Sequence, residues 1–173
     1  MLRQRVITAL ILAGALIVTL LFAPFPVQAI LFALVATAGA WEWAALVGSQ
    51  GTLFRAAYAA IIPLLCGALW IGLALDGPEA AQHARPWLAA TALLWSAMVV
   101  GLKYYSAGRG VWGHGWVRAL MGWLMLAATW LAVTVCLTLI NGPFIVFLLI
   151  LAVASADIGA YFAGRRFGQH ALA

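Results

Sequence analysis

The stretch SADIGAYFAGRRFG, Ser155 to Gly168, places an aspartate inside an apolar segment and two arginines just beyond it. The apolar run that precedes it, from Pro143 to Val153, predicts a membrane span. An ionisable side chain inside a membrane helix costs about 2.5–3.5 kcal/mol on insertion scales, so Asp157 is by default a candidate functional residue. The alternative is a carboxylate that pairs with an arginine to complete the helix end.

Helical spacing places Asp157 and Tyr161 on one face of the predicted helix, with Arg165 two turns beyond Asp157. Guanidinium groups match the geometry of phosphate oxygens, so Arg165 and Arg166 are candidate phosphate ligands. The alternative is that both arginines only mark the end of the span. Tyr161 is equally well explained as an aromatic residue of the membrane interface.

Small residues recur at every fourth position of the same stretch, which lets the backbone of a neighbouring helix approach closely. They are Ala152, Ala156, Ala160, Gly164 and Gly168. The stretch therefore combines a carboxylate, a phenol and two guanidinium groups with a surface for tight helix packing. We expect this combination at the point where the span leaves the bilayer.

Composition identifies the class of protein. The 173 residues are 67% hydrophobic and 8% charged, and so few charges could not cover the surface of a soluble domain of this size. The net charge is +5, but the basic residues are spread over short segments, so no nucleic-acid partner is expected. Cys66 and Cys136 lie in apolar runs without metal-ligand spacing and are interpreted as small buried hydrophobic residues.

The apolar runs predict an all-α, polytopic integral membrane protein with about six transmembrane helices in a single domain, residues 1–173. The predicted spans are residues 6–23, 27–47, 57–75, 87–102, 119–140 and 143–163. Pro63 predicts a kink in the third span, because a proline removes a helix hydrogen bond. Asn141–Pro143 predicts a turn. The polar segments 76–86 and 103–118 predict loops, the second of them interfacial.

Six spans place both termini on one side of the membrane, and the basic residues indicate which side. All nine lysines and arginines except Arg85 fall on the side of the termini. They are Arg3, Arg5, Arg55, Lys103, Arg109, Arg118, Arg165 and Arg166. Because positive residues are enriched on the cytoplasmic side, both termini, Asp157 and Glu42 are predicted to lie there.

Glu42 lies between Trp41 and Trp43, about one turn inside the end of its span. The two tryptophans are typical of the aromatic belt at a membrane surface. Glu42 is a candidate supporting residue for the site of Asp157. The alternative is an interfacial carboxylate that reaches the headgroups or pairs with a nearby arginine. Sequence motifs of nucleophilic triads, zinc proteases and phosphate-cradling loops are absent, so spacing alone does not name the reaction.

The stretch around Asp157 resembles the D-x-x-A-Y-x-x-G-x-x-x-G segment of the phosphatidate cytidylyltransferase family, also called CDP-diacylglycerol synthases. The matching residues are Asp157, Ala160, Tyr161, Gly164 and Gly168, with Ser155 just upstream. The opening MLRQRVITALIL and the segment GAWEWA, Gly39–Ala44, also resemble bacterial members. The resemblance therefore extends from one end of the sequence to the other.

This resemblance implies that CTP and phosphatidic acid give CDP-diacylglycerol and pyrophosphate, normally with Mg²⁺ bridging phosphate oxygens. Asp157 would be the catalytic residue and a ligand of Mg²⁺. The implied substrate- and phosphate-binding residues are Ser155, Tyr161, Arg165 and Arg166, and those for close helix packing are Ala160, Gly164 and Gly168. The resemblance also implies a protein of a bacterial inner membrane, with membrane lipids as partners. Its active face would lie on the cytoplasmic side. A homodimer is compatible with such folds.

Members of the family usually continue into further spans that carry a Lys-Thr-x-Glu-Gly-like stretch and an Asp-Arg-x-Asp signature, and this sequence has neither. Only Glu42 and Asp157 are acids on the predicted cytoplasmic side, whereas two-metal sites usually use several carboxylates. The sequence is therefore interpreted as the N-terminal part of such an enzyme, a fragment or a truncated gene product. The alternatives are a non-catalytic membrane subunit or assembly partner, and a small transporter with a proton relay.

Overall fold

A computed structural model describes residues 2–48, 51–103 and 114–168. Within these ranges the chain forms six α-helices. They are α1 (Leu2–Phe22), α2 (Phe25–Val47), α3 (Thr52–Gly72), α4 (Ala80–Lys103), α5 (Gly115–Leu137) and α6 (Gly142–Phe167). Four of them, α2, α3, α5 and α6, are long and apolar enough to cross a bilayer. The predicted all-α, polytopic membrane protein is thus confirmed.

The start of α4 differs from the prediction. This helix begins at Ala80, so His83, Arg85 and Pro86 lie in a helix and not in a loop. The apolar run that predicted the fourth span begins only at residue 87. The alanines and the glutamine between residues 80 and 84 have high helix propensity, so the helix begins earlier than this run. His83 Nδ1 lies 3.1 Å from Leu73 O, which joins the start of α4 to the end of α3. The segment 104–113, which contains most of the predicted interfacial loop, lies outside the described residues.

The core is a unit of three helices, α2, α3 and α5. The side of α2 that faces the core carries small residues, and this allows the backbones to approach closely, as is common between membrane helices. Its buried alanines are Ala29, Ala36, Ala40 and Ala44. The other two helices fill the space with larger side chains, namely Tyr58 and Ile62 from α3 and Trp130 and Leu131 from α5.

Ring donors connect these three helices through backbone carbonyl groups. The bonds run from Trp43 Nε1 to Arg118 O (2.9 Å), from Tyr58 Oη to Ala119 O (2.8 Å), from Trp123 Nε1 to Tyr58 O (3.1 Å) and from Trp130 Nε1 to Ala29 O (2.9 Å). A buried ring N–H or O–H needs such an acceptor, and apolar surroundings strengthen the bond. The interpretation of Trp43 as an aromatic residue of the membrane surface missed this role in helix packing.

Gln28 closes the turn between α1 and α2. Its Nε2 donates to Ala23 O at 3.0 Å and to Leu20 O at 3.2 Å, and it lies 3.4 Å from Thr19 O. The last carbonyl groups of a helix have no partner within the helix. Gln28 is buried, so water does not reach these carbonyl groups easily, and its side-chain amide supplies the donors instead.

The turn between α5 and α6 forms at the predicted Asn141–Pro143 segment. Asn141 adopts a left-handed conformation, with φ of 60°. Gly142 is buried, and a Cβ there would overlap the carbonyl oxygens of Cys136 and Leu137. The turn therefore requires a glycine at this position, which is the first residue of α6.

Among the described residues, only the first half of α6 packs against other helices. It contacts α5 and α1, and Val146 is buried with Leu20 and Leu137. All residues from 151 to 168 are exposed. The half of α6 that carries the predicted site therefore extends away from the core formed by the described residues.

Candidate functional site

The predicted face of α6 is present because the helix continues without a break to Phe167. On a regular helix Tyr161 lies about 40° and Arg165 about 80° around the axis from Asp157, so these three side chains share one side. Ser155 and Arg166 lie about 200° and 180° from Asp157, on the opposite side. The structure thus groups Asp157, Tyr161 and Arg165 and separates the other two from them.

The side chains of this face are open to solvent or lipid. Within the described residues, no ion pair joins Asp157 to Arg165, so the alternative of a carboxylate that completes the helix end is not formed. Tyr161 meets Phe162 edge to face at 5.5 Å, and the Arg166 guanidinium lies 5.8 Å from the ring of Phe167. The carboxylate of Asp157 can therefore bind a ligand without first breaking an ion pair with a described residue.

The stripe of small residues on α6 is also uncovered. Its three alanines are exposed, and a Cβ built at Gly164 would meet no atom of the described residues within 4 Å. Gly168 ends the helix, and its N–H donates to Gly164 O at 2.9 Å. A surface for close helix packing is thus present, and no described helix occupies it.

Glu42 lies in a different environment from Asp157. Its Oε1 is 3.8 Å from Arg55 Nη2, and its side chain is 81% exposed. Arg55 in turn donates from Nε to Trp41 O at 3.0 Å. The structure therefore matches the alternative in which Glu42 is an interfacial carboxylate beside an arginine.

The expected Mg²⁺ would find few protein ligands here. No group of three histidine, cysteine, aspartate or glutamate residues comes together in the described part of the chain. However, proteins often hold Mg²⁺ with one or two carboxylates, while substrate phosphates and water complete the coordination. Asp157 fits such a substrate-bridged ion, and it does not fit a cage built by the protein alone.

Two apolar grooves lie away from this face. One, of about 510 Å³, runs between α2 and α3 beside Pro63 and Trp70. The other, of about 430 Å³, lies between α3, α4 and α5 beside Trp87 and Trp123. Neither lining contains a charged side chain. The candidate site is therefore an open helix face and not one of these grooves.

The sequence profile of the cytidylyltransferase family matches residues 3–173, which include the whole of α6 with Asp157. The chain belongs to the cytidylyltransferase family. This membership confirms the resemblance drawn from the Asp157 segment. The match also covers the N-terminal helices, where repetitive apolar sequence makes a resemblance less specific.

Two similar proteins of this family are named phosphatidate cytidylyltransferase. The Pseudomonas aeruginosa protein is 34% identical over 175 residues, which cover 100% of this chain and 61% of the relative. The Haemophilus influenzae protein is 29% identical over 185 residues, which cover 100% of this chain and 64% of the relative. The chain thus spans less than two thirds of the length of either relative. No solved structure matches it significantly.

Proposed function

We propose that this chain takes part in the transfer of a cytidylyl group from CTP to phosphatidic acid, which gives CDP-diacylglycerol and pyrophosphate. The proposal rests on the open face formed by Asp157, Tyr161 and Arg165. It is supported by the family and by relatives that are named for this reaction. A carboxylate, a phenol and a guanidinium on one face are suited to binding two phosphorylated substrates.

In this reaction a phosphate oxygen of phosphatidic acid forms a bond to the α-phosphorus of CTP. The bond from that phosphorus to the oxygen that bridges to the β-phosphate breaks, and pyrophosphate leaves with the electron pair. Negative charge is spread over the phosphate oxygens throughout, so catalysis consists mainly of positioning and neutralisation. Arg165 would bind phosphate oxygens through its planar fork of N–H groups, and Tyr161 would donate from its hydroxyl.

Mg²⁺, when bound, would neutralise part of the charge on the nucleotide phosphates. Asp157 is the residue of α6 that would hold it, together with substrate oxygens and water. Arg166 and Ser155 lie on the other side of the helix, and we keep their phosphate-binding role as a prediction. The homodimer also stays a prediction.

A position at the cytoplasmic face of an inner membrane suits this chemistry. CTP is soluble, whereas phosphatidic acid keeps its phosphate at the membrane surface. A site where α6 leaves the bilayer would bring the two together. The excess of arginine on that side of the predicted topology supports this orientation.

The test uses membranes that contain this chain, phosphatidic acid, Mg²⁺ and CTP labelled at the α-phosphorus. We expect label in a lipid product, and none when the label is at the γ-phosphorus. Because the chain is shorter than its relatives, a second arm adds the part of the Pseudomonas protein that the chain does not match.

Lipid product in either arm that is lost with Asp157→Ala would support the proposal. Absence of product in both arms, with the chain present in the membrane, would contradict it. That result would favour the non-catalytic membrane subunit.

A further inference from the structure

Two arginines each contact the last two turns of α2. One is Arg55, in the first turn of α3, and the other is Arg118, in the first turn of α5. Arg55 reaches the carbonyl oxygen of Trp41, and Arg118 reaches that of Val47. We call this region, formed by Trp41, Glu42, Val47, Arg55 and Arg118, the arginine junction.

Arg55 is held in place by α2 and has one carboxylate, that of Glu42, as a nearby counter-charge. Its Nε donates to Trp41 O at 3.0 Å, and its guanidinium lies 4.7 Å from the centre of the Trp41 ring. The side chain is only 21% exposed. Glu42 lies 3.8 Å from Nη2, which is longer than a hydrogen bond, and this carboxylate is mostly solvated. The geometry therefore fixes the cation and leaves N–H groups for another acceptor.

Arg118 is also incompletely bonded. Its Nη2 is 3.4 Å from Val47 O, a long contact, and its buried Nε has no partner among the described residues. A buried donor without an acceptor is costly, and the cost is larger for a charged group. The junction thus contains two guanidinium groups and, among the described residues, one carboxylate, which lies 3.8 Å from Arg55.

Apolar side chains surround the junction. Leu46, Leu53 and Phe54 are exposed, and Leu53 is 85% exposed. In a membrane protein such side chains at a helix end contact lipid, so lipid phosphates are the anions that the membrane itself supplies at this position. We propose that the arginine junction binds the headgroup of an anionic phospholipid, with Arg55 and Arg118 as the residues that contact this headgroup.

This site goes beyond the proposed function. It lies on α2, α3 and α5, whereas Asp157 lies on α6. The phospholipid at the junction would be bound and not converted. The probe in the experiment is therefore phosphatidylglycerol, which is an anionic phosphodiester and not the proposed substrate.

Positive residues also orient membrane proteins during insertion, and this role offers a simpler explanation of both arginines. Lysine serves that role as well as arginine does. A phosphate site held by the planar guanidinium fork is different, because lysine provides only a point charge. Lysine variants therefore separate the two explanations.

The experiment measures phosphatidylglycerol bound to the purified 173-residue chain by native mass spectrometry, with phosphatidylcholine as the zwitterionic reference. Arg55→Gln and Arg118→Gln should each weaken binding about fivefold, and the two lysine variants should also weaken it. Arg85→Gln removes the same charge from the start of α4 and should leave binding unchanged. Glu42→Gln should strengthen binding, because it removes a carboxylate that repels the phosphate.

Equal losses in Arg55→Gln and Arg85→Gln would overturn the proposal, as would full binding by the lysine variants. Complete displacement of the lipid by inorganic phosphate would show that the ligand is a soluble anion and would also overturn it. Should Arg118→Gln fail to fold, the opposite changes expected from Arg55→Gln and Glu42→Gln still decide the question.

Discussion

Replacing Asp157 with asparagine should lower the CTP-dependent formation of CDP-diacylglycerol by about a hundredfold or more, the usual effect of removing a group that stabilises charge at a reacting centre. Asparagine has nearly the same shape but no negative charge, so it would hold Mg²⁺ and the nucleotide poorly. The rate of lipid labelling from CTP, in the arm that gives product, measures the effect.

The same substitution should not destabilise the fold, since Asp157 is exposed and has no ion pair with a described residue. Thermal unfolding in detergent should therefore give an unchanged or higher midpoint for Asp157→Asn. Asp76→Asn is the matched control, because Asp76 is an exposed aspartate in the segment between α3 and α4. Unchanged activity in Asp157→Asn, or an equal loss in Asp76→Asn, would refute the role of Asp157.

Gly122→Ala should lower the free energy of unfolding by about 1–3 kcal/mol, as overpacking of a core does. Gly122 is buried, and a Cβ there would overlap the hydroxyl of Tyr58 and the indole ring of Trp43. Neither ring can move aside easily, because each donates a hydrogen bond to a carbonyl group of α5. The higher helix propensity of alanine offsets only about 1 kcal/mol of this cost. Chemical or thermal unfolding in detergent measures the change.

Gly67→Ala is the control on α3, at an exposed position of one of the same three helices. A Cβ at Gly67 would meet no atom within 4 Å, so only the gain in helix propensity remains. We expect this variant to be as stable as the unmodified protein or more stable, by up to about 1 kcal/mol. A similar loss of stability in both glycine variants would mean that α2, α3 and α5 do not pack as described.

The features that the sequence predicted correctly depend on local pattern. Long apolar runs predicted helices, and Asn141–Pro143 predicted the turn before α6. Asp157, Tyr161 and Arg165 share a face because four-residue spacing alone puts them there. The start of α4 at Ala80 was missed, because the prediction followed hydropathy while helix propensity continued into the polar segment.

The features that the sequence did not predict depend on which helices are neighbours. Trp130 and Ala29 are far apart in the chain, and no local pattern pairs an indole with a distant carbonyl group. Glu42 and Asp157 were both predicted on the cytoplasmic side, yet the partner of Glu42 is Arg55, because α2 packs against α3. Arg55 and Arg118 were counted only as topology signals; their positions in the first turns of two helices became informative once both helices met α2.

The central claim is that the Asp157 face of α6 binds CTP on the cytoplasmic side of the membrane. The most direct test replaces Cys66 and Cys136 with alanine and introduces Gly164→Cys, or Leu139→Cys in the turn between α5 and α6 as a control. A membrane-impermeant maleimide should label the Gly164→Cys protein from the cytoplasmic side, and CTP with Mg²⁺ should slow that labelling. CTP should not affect the Leu139→Cys protein. Labelling of Gly164→Cys that CTP leaves unchanged, or that occurs only from the opposite side, would contradict the account.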